Sequence, residues 1–255
     1  MLLGIDHIVI AVRDLDAAAR DYERLGFTVV PGGRHPVGTH NALIALADGS
    51  YIELISFYRE NPNHRWWKPL QIGEGLVDFC MQTSDLLDDL ETMRSAGIRM
   101  HDPQPWSRTR PDGYELKWRL AIPQEGDRGV APFLIQDETP REERVPRQVD
   151  HANGATGIAG LTIAVTDPIV VRDWYRSLVR RHGEPVRRPE LGAAGVAFKV
   201  RRHAFEFLAP ESPESPIARA LEKRGPAPYA AVLKSAGRSG PLDPALTHGA
   251  VLSFA

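Results

Sequence analysis

The chain repeats one short pattern three times, and this repeat constrains the fold more than any other feature. An apolar run ending in an acidic residue occurs as IDHIVIAVRD at 5–14, LVDFCMQTSD at 76–85 and LTIAVTD at 161–167. Aligned on their acidic residues, the copies place His7, Asp78 and Gly160 at one equivalent position. We therefore expect a fold built from repeated copies of one unit.

Each run is followed by the signals of a helix. The acidic residue at its end can accept hydrogen bonds from the first helical N–H groups. Gly26 and Gly97 close the first two apolar-periodic segments, as C-terminal glycines do. In the third copy Pro168 suits the first helical turn, and that helix is expected to run a turn longer.

Strand-like segments rich in β-branched and aromatic residues complete each copy. They occupy 27–30, 41–47 and 51–57 in the first copy, 98–103, 114–123 and 132–138 in the second, and 195–200 and 204–210 in the third. Asp48 and Gly49 form a predicted hairpin turn. The predicted unit is βαβββ, which makes the fold α+β, and residues 228–255 are expected to form a shortened fourth copy.

The repeats divide the chain into two halves. Residues 1–140 are expected to form one cup from two units, residues 141–157 a polar connector, and residues 158–255 a degenerate second half. Each first strand alternates between a bulky apolar face, which should pack on the helices, and a smaller or polar face. We expect the second face, which carries His7, Asp78 and Cys80, to line a cavity.

Length and charge exclude several classes of protein. The chain has 255 residues with 42% hydrophobic content, enough for a substantial core. A net charge of −2 gives no basic patch for nucleic acid, and no apolar run approaches a membrane span. Because the first residues enter a strand directly, no signal peptide is expected, and the predicted location is cytoplasmic.

The unit order, the His7 of IDHIVIAV and the Glu53 of YIELISF resemble the vicinal oxygen chelate superfamily, which includes glyoxalase I, extradiol dioxygenases and antibiotic-resistance binding proteins. Within it, GGRHPVGTHNALIAL at 32–46 and RPDGYELKWRLA at 110–121 are similar to the glyoxalase-like domain group. The resemblance implies cupped mixed sheets with helices outside. Such cups form within one chain or between the two chains of a homodimer.

The resemblance also implies a metal site, because the superfamily holds its ion with residues from the first and last strand of each unit. His7 and Glu53 match two ligand places, and Asp78 is a candidate third ligand or general base. Such a set suits a divalent ion, Zn, Ni, Mn or Fe. In the second unit Phe133 or a neighbour stands where a carboxylate is expected, whereas Glu206 of the third unit matches Glu53.

Each candidate also has an ordinary structural explanation. A lone His7 in an apolar strand is usually a core histidine, but Glu53 between two apolar residues needs a buried partner, so together they favour a polar site. Asp78 could instead bind loop amides or form an ion pair with an arginine such as Arg108 or Arg119. Cys80 has no disulfide partner and is expected to pack in the core.

Four further residues are candidates for substrate binding. His35 and Asn41 lie in a glycine-bearing segment, 31–42, expected to be a loop that forms a rim or a plain surface connection. Trp118 could stack on a planar ligand, and Arg108 could bind a carboxylate or phosphate or be a surface charge.

These observations predict a glyoxalase-like, metal-dependent enzyme that acts on a small oxygen-bearing metabolite. The metal would polarise adjacent oxygens, with Glu53 and Asp78 as catalytic carboxylates, in isomerase, lyase or dioxygenase chemistry. The alternative is a non-catalytic protein of the same fold that binds or sequesters a small molecule.

Overall fold

The computed structural model describes all 255 residues, and its elements follow the predicted repeat. The strands are β1 (Leu2–Ala11), β2 (Val30–Arg34), β3 (Thr39–Ala45), β4 (Tyr51–Phe57), β5 (Gly75–Thr83), β6 (Gln104–Thr109), β7 (Glu115–Ala121), β8 (Phe133–Asp137), β9 (Ala155–Ala164), β10 (Glu184–Arg188), β11 (Ala193–Val200), β12 (His203–Pro210), β13 (Ala227–Ser235), β14 (Gly240–Pro241) and β15 (Val251–Phe254). The helices are α1 (Leu15–Arg24), α2 (Trp67–Ile72), α3 (Leu86–Ser95), α4 (Arg141–Arg144), α5 (Pro168–Val179) and α6 (Pro216–Arg224).

The first two βαβββ units form a closed barrel in the order β1-β4-β3-β2-β6-β7-β8-β5. Within it, β1 runs parallel to β4 and antiparallel to β5. The predicted α+β fold of repeated units is confirmed. Because the barrel closes within one chain, no second chain is needed to complete this cup.

The third unit and a shortened fourth unit form an open seven-stranded sheet in the order β10-β11-β12-β9-β13-β15-β14. Here β9 runs parallel to β12 and antiparallel to β13, which repeats the arrangement around β1. No helix follows β13, so the fourth unit is incomplete, as expected. None of the six helices combines the length and the hydrophobicity that crossing a bilayer requires.

The three acidic residues cap their helices as predicted. Asp14 Oδ1 accepts a hydrogen bond from Ala17 N at 2.9 Å, and Asp85 Oδ1 accepts one from Asp88 N at 3.1 Å. Asp167 caps α5, which spans 12 residues where α1 and α3 span 10. The chain therefore passes from each first strand into its helix in the same way. The strands that follow each helix take equivalent positions in their sheets.

Two large apolar clusters organise the molecule, and a third contains only four buried residues. The larger joins the outside of the barrel to the helices and the open sheet, with the rings of Phe79 and Phe205 5.8 Å apart. The smaller fills the barrel around Trp118 and Phe133. Val77, expected to pack on the helices, belongs instead to the barrel interior, because a register shift in the β1–β5 pairing turns it inward.

Three predicted segments are wrong in position. The strand expected at 27–30 begins only at Val30, as β2. Residues 98–103 make only an isolated bridge at Met100, and the strand lies at Gln104–Thr109, where it runs between β7 and β2 to close the barrel. The expected loop at 31–42 is mostly the β2–β3 hairpin. His35 therefore lies at the hairpin turn, and Asn41 lies within β3.

Candidate active site

The barrel interior contains a cavity of about 50 Å³. Polar side chains line one part of its wall, and apolar and aromatic side chains line the rest. The predicted site residues that line it are His7, His35, Asn41, Glu53, Arg108 and Trp118. The structure therefore brings together six of the seven residues singled out in the sequence. The seventh, Asp78, does not line the cavity, but its partners Arg65 and Trp66 do.

Strand register shows which residues of the repeats are equivalent. Glu53 of β4 pairs with Val9 of β1, and Val9 lies five residues before the helix cap Asp14. In β5 the residue five before the cap Asp85 is Cys80, and its partner in β8 is Phe133. In the open sheet Glu206 takes the same place. The second unit thus has an aromatic ring where the first and third units have a carboxylate.

A β-bulge places a second acidic side chain beside His7. Successive side chains of a strand normally point to opposite faces. Between the pairs Ile5–Met81 and His7–Cys80, however, β1 has one residue more than β5, which makes Asp6 the extra residue of a bulge. Asp6 Oδ1 lies 2.7 Å from His7 Nδ1. Because an ionised carboxylate only accepts, Nδ1 carries the hydrogen and Nε2 faces the cavity side.

Asp6 is fully buried and held by two arginines from α4. Arg144 donates to its two oxygens at 3.1 and 3.0 Å, and Arg141 also pairs with it. Burial alone would raise the pKa of Asp6, but Arg144, Arg141 and the bond to His7 hold this pKa well below its ordinary value. Arg144 also binds Asp137 at 3.0 Å and the Tyr51 hydroxyl at 2.8 Å. This network fixes the carboxylate that orients His7.

His7 and Glu53 converge in the cavity. His7 Nε2 lies 3.5 Å from Glu53 Oε2, while Asn41 Nδ2 donates to Glu53 Oε1 at 2.5 Å. The His7 ring stacks on Tyr51 with ring centroids 4.5 Å apart. Asp6, His7 and Glu53 therefore form a row of polar groups that ends in the cavity.

Asp78 is fully buried and already has partners. Arg65 Nη2 lies 2.6 Å from Asp78 Oδ2, and the Trp66 indole N–H donates to the same oxygen at 2.8 Å. The ion pair with an arginine, one structural alternative for Asp78, is therefore present, but its partner is Arg65 from the segment before α2, and neither Arg108 nor Arg119. The proposed duty of Asp78 as ligand or base stays a prediction.

Arg108 and His35 are both buried in the cavity wall. Arg108 Nη2 donates to the Arg144 carbonyl at 2.8 Å, so Arg108 is not the surface charge it could have been. His35 Nδ1 lies 3.0 Å from the Thr39 hydroxyl. Burial, followed by the charge of Arg108, lowers the pKa of His35 to about 3. His35 is therefore neutral at physiological pH.

We expect buried histidines to make the fold sensitive to mild acid. The pKa is lowered from 6.5 to about 3 for His35 and to about 4 for His64, mainly by burial, so the unfolded chain binds their protons more readily. The free energy of unfolding is therefore highest above pH 6.5, where both states carry neutral histidines, and it decreases as the pH falls from 6.5 towards the pKa values of the folded state. For His35 alone, urea unfolding at pH 5 should give a free energy about 2 kcal/mol lower than at pH 7.5.

The variant His35→Gln should show a smaller change between these two pH values. His182→Gln, at an exposed position, is the matched control and should keep the full change. Equal pH dependence in both variants would contradict the assignment to His35.

The donors in the cavity do not complete a divalent metal site. A catalytic zinc site uses three protein ligands and an open position. His7 and Glu53 supply two, Phe133 stands where the second unit would supply a carboxylate, and Asp78 is neutralised by Arg65. Asp6, His7 and Cys80 also lie close together, with ligand atoms within 4.8 Å of one another. In that group, however, Asp6 is engaged by arginines, and burial raises the pKa of the Cys80 thiol.

Three residues of this site are not identifiable from the sequence pattern. Asp6 follows the wrong alternation for a cavity residue, and only a bulge brings it to His7. Arg65 and Arg144 lie in segments that resemble connectors. A buried charge needs a partner, so Asp78 and Asp6 signal that arginines must approach, but not which ones.

A closed barrel of two βαβββ units with a His and a Glu on its paired first and last strands defines the vicinal oxygen chelate class. The sequence model described as "Glyoxalase-like domain" matches residues 5–179, more than half of the chain. The chain therefore belongs to the glyoxalase-like domain family of this superfamily.

Solved structures show the same fold. A hypothetical protein from Staphylococcus aureus superposes with a TM-score of 0.70 at 16% identity, covering 98% of both chains. A mutant of 4-hydroxymandelate synthase from Streptomyces coelicolor gives 0.64 at 12% identity, covering 91% of this chain and 70% of the other. A xylose isomerase-like TIM barrel/4-hydroxyphenylpyruvate dioxygenase fusion protein gives a TM-score of 0.56 at 16% identity, covering 92% of this chain and 37% of the other. No curated protein sequence matches the chain.

Proposed function

We propose that the barrel cavity is the active site of an enzyme that moves a proton on a small oxygen-bearing metabolite, as an isomerase or lyase does. The observation that carries this proposal is the buried chain Asp6–His7–Glu53 with its end in the cavity. Glu53 is held by Asn41 through one oxygen, which leaves Oε2 available to the substrate. Enzymes of the superfamily are among the structural neighbours, which supports catalysis over simple binding.

In this proposal Glu53 is the general base. Its Oε2 takes a proton from a carbon beside a substrate carbonyl, and His7 holds or relays that proton. The C–H electron pair forms a carbon–carbon double bond as the π pair of the carbonyl moves to the oxygen. Arg108 lines the same cavity and donates a hydrogen bond to the resulting oxyanion. Delivery of a solvent deuteron to the same carbon gives exchange, and delivery of the proton to a neighbouring atom gives isomerisation.

Deuterium exchange tests this chemistry even when the product is unidentified. The protein is incubated in D₂O with a panel of small hydroxy ketones, aldehydes and oxo acids, and ¹H NMR follows the hydrogens next to each carbonyl. We expect protein-dependent loss of such a signal for at least one compound. Saturable binding of panel members without any exchange would contradict the proposal and favour the non-catalytic binding protein.

A metal-dependent form of the reaction is the second candidate, supported by the 3.5 Å approach of His7 Nε2 to Glu53 Oε2. Elemental analysis of protein purified without chelator, followed by titration with Zn, Ni, Mn and Fe, tests it. Since the donor set is incomplete, we expect no stoichiometric metal. One bound ion, lost in both His7→Ala and Glu53→Gln but kept in Glu206→Gln, would instead establish the metal-dependent enzyme.

A further inference from the structure

The cavity contains unused hydrogen-bond donors. Six buried side-chain nitrogen and oxygen atoms of the protein lack a hydrogen-bond partner, and four of them are Nε, Nη1 and Nη2 of Arg65 and Nε of Arg108. Both arginines line the cavity. Buried donors are normally satisfied, so their concentration around one cavity points to a ligand that supplies acceptors.

Asp78 engages only one nitrogen of Arg65. Its Oδ2 lies 2.6 Å from Arg65 Nη2, and the same oxygen accepts the Trp66 indole N–H. Its Oδ1 accepts the backbone N–H of Phe79 at 3.0 Å. Asp78 therefore balances the charge of Arg65 but leaves the N–H groups on Nε and Nη1 for another acceptor.

The guanidinium is held in place before any ligand arrives. Its central carbon lies 5.0 Å from the centre of the Phe133 ring and 5.8 Å from that of Trp66. Aromatic faces attract a guanidinium and restrict its orientation. The aromatic residue in place of the second unit's carboxylate thus helps to present the cation.

The arrangement of the donors favours a planar anion. A flat carboxylate can accept two parallel hydrogen bonds from the planar guanidinium of Arg65. The cavity is small, with a volume of about 50 Å³. A groove shares Trp106, Leu120 and Ile122 with the cavity wall, so the rest of a longer substrate can extend outward.

We propose that Arg65 anchors the carboxylate of the substrate, which makes small monocarboxylic acids the substrate class of this site. The two oxygens accept from the Arg65 fork, and Arg108 Nε contributes a further donor to the bound acid. That the acid is a substrate, and not only a ligand, rests on the proposed function.

Calorimetry with defined probes tests the anchor. Acetate, propionate and pyruvate are titrated into the protein at constant ionic strength with EDTA present, and acetamide, propionamide and pyruvamide are the uncharged controls. We expect one-to-one binding of at least one acid, with its amide at least tenfold weaker. Equal binding of acids and amides, or tighter binding of inorganic phosphate, would overturn the proposal.

Substitutions locate the anion. Arg65→Lys keeps the charge opposite Asp78 but removes the fork, and it should weaken acid binding at least tenfold. The double variant Arg65→Met/Asp78→Asn removes both charges together and should do the same in a folded protein. Arg188→Met, which breaks an ion pair with Glu206 in the open sheet, is the matched control and should leave binding unchanged. Wild-type binding by both Arg65 variants would refute the anchor.

The two proposals fail separately. If the acids bind through Arg65 but none exchanges hydrogen in D₂O, the anchor stands and the proposed chemistry falls. If exchange occurs on neutral compounds and acids do not bind, the chemistry stands and the anchor falls.

Discussion

Replacing Arg144 with methionine is expected to lower the free energy of unfolding by about 3–5 kcal/mol. The change leaves Asp6, which is fully buried, with Arg141 as its only arginine partner, and it also removes the hydrogen bonds that Arg144 makes to Asp137 and to the Tyr51 hydroxyl. Burying a charge without full compensation is among the most costly changes in a protein interior. Urea unfolding followed by circular dichroism measures the loss.

Arg172→Met is the matched control, because Arg172 pairs with Asp173 on the exposed surface of α5. That variant should change stability by less than about 1 kcal/mol. Asp6→Asn combined with Arg144→Met should recover part of the loss, since the unpaired charge is then gone. An Arg144→Met protein as stable as the control would show that the network does not support the barrel.

Glu53→Gln is expected to slow hydrogen exchange on the substrate roughly 10²–10⁴-fold, the usual contribution of a general base. The amide has the shape of the carboxylate and can still accept from Asn41, so the fold should be retained. ¹H NMR in D₂O measures the rate, and urea unfolding confirms the structure.

Glu206→Gln provides a close comparison for this experiment, because strand register gives Glu206 the same place in its own sheet as Glu53 has in the barrel. Glu206 is instead ion-paired with Arg188, and no exchange chemistry is assigned to it. Its variant should exchange hydrogen at the wild-type rate. An equal decrease in both variants would mean that the observed exchange is not catalysed in the barrel.

The fold was largely predictable because its information is local and repeated. The caps at Asp14, Asp85 and Asp167 and the period-two strands define each unit wherever it occurs, so three copies support one another. The error at 98–103 has a different origin. That segment has a strand-like composition, but barrel closure requires β6 to reach β2, and this long-range condition leaves no mark on the local pattern.

The candidate site was only half predictable. His7 and Glu53 stand out because polar residues in apolar strands are rare and because the resemblance assigns them a role. Asp6 depends on one extra residue in the β1–β5 pairing, and Arg65 on the path of a connecting segment. Those contacts arise from tertiary geometry, so no periodicity of the sequence could have shown them.

The unequal halves of the barrel have a stereochemical consequence. Two identical units would offer a ligand two equivalent poses related by the pseudo-two-fold axis, and a symmetric pair of bases could attack either face. Here the acidic residue Glu53 stands in the first unit, and the place that matches it in the second unit holds Phe133, next to Arg65. With Arg65 as the proposed anchor and Glu53 as the proposed base, we expect a bound acid to take a single orientation in which only one of two prochiral hydrogens faces Glu53.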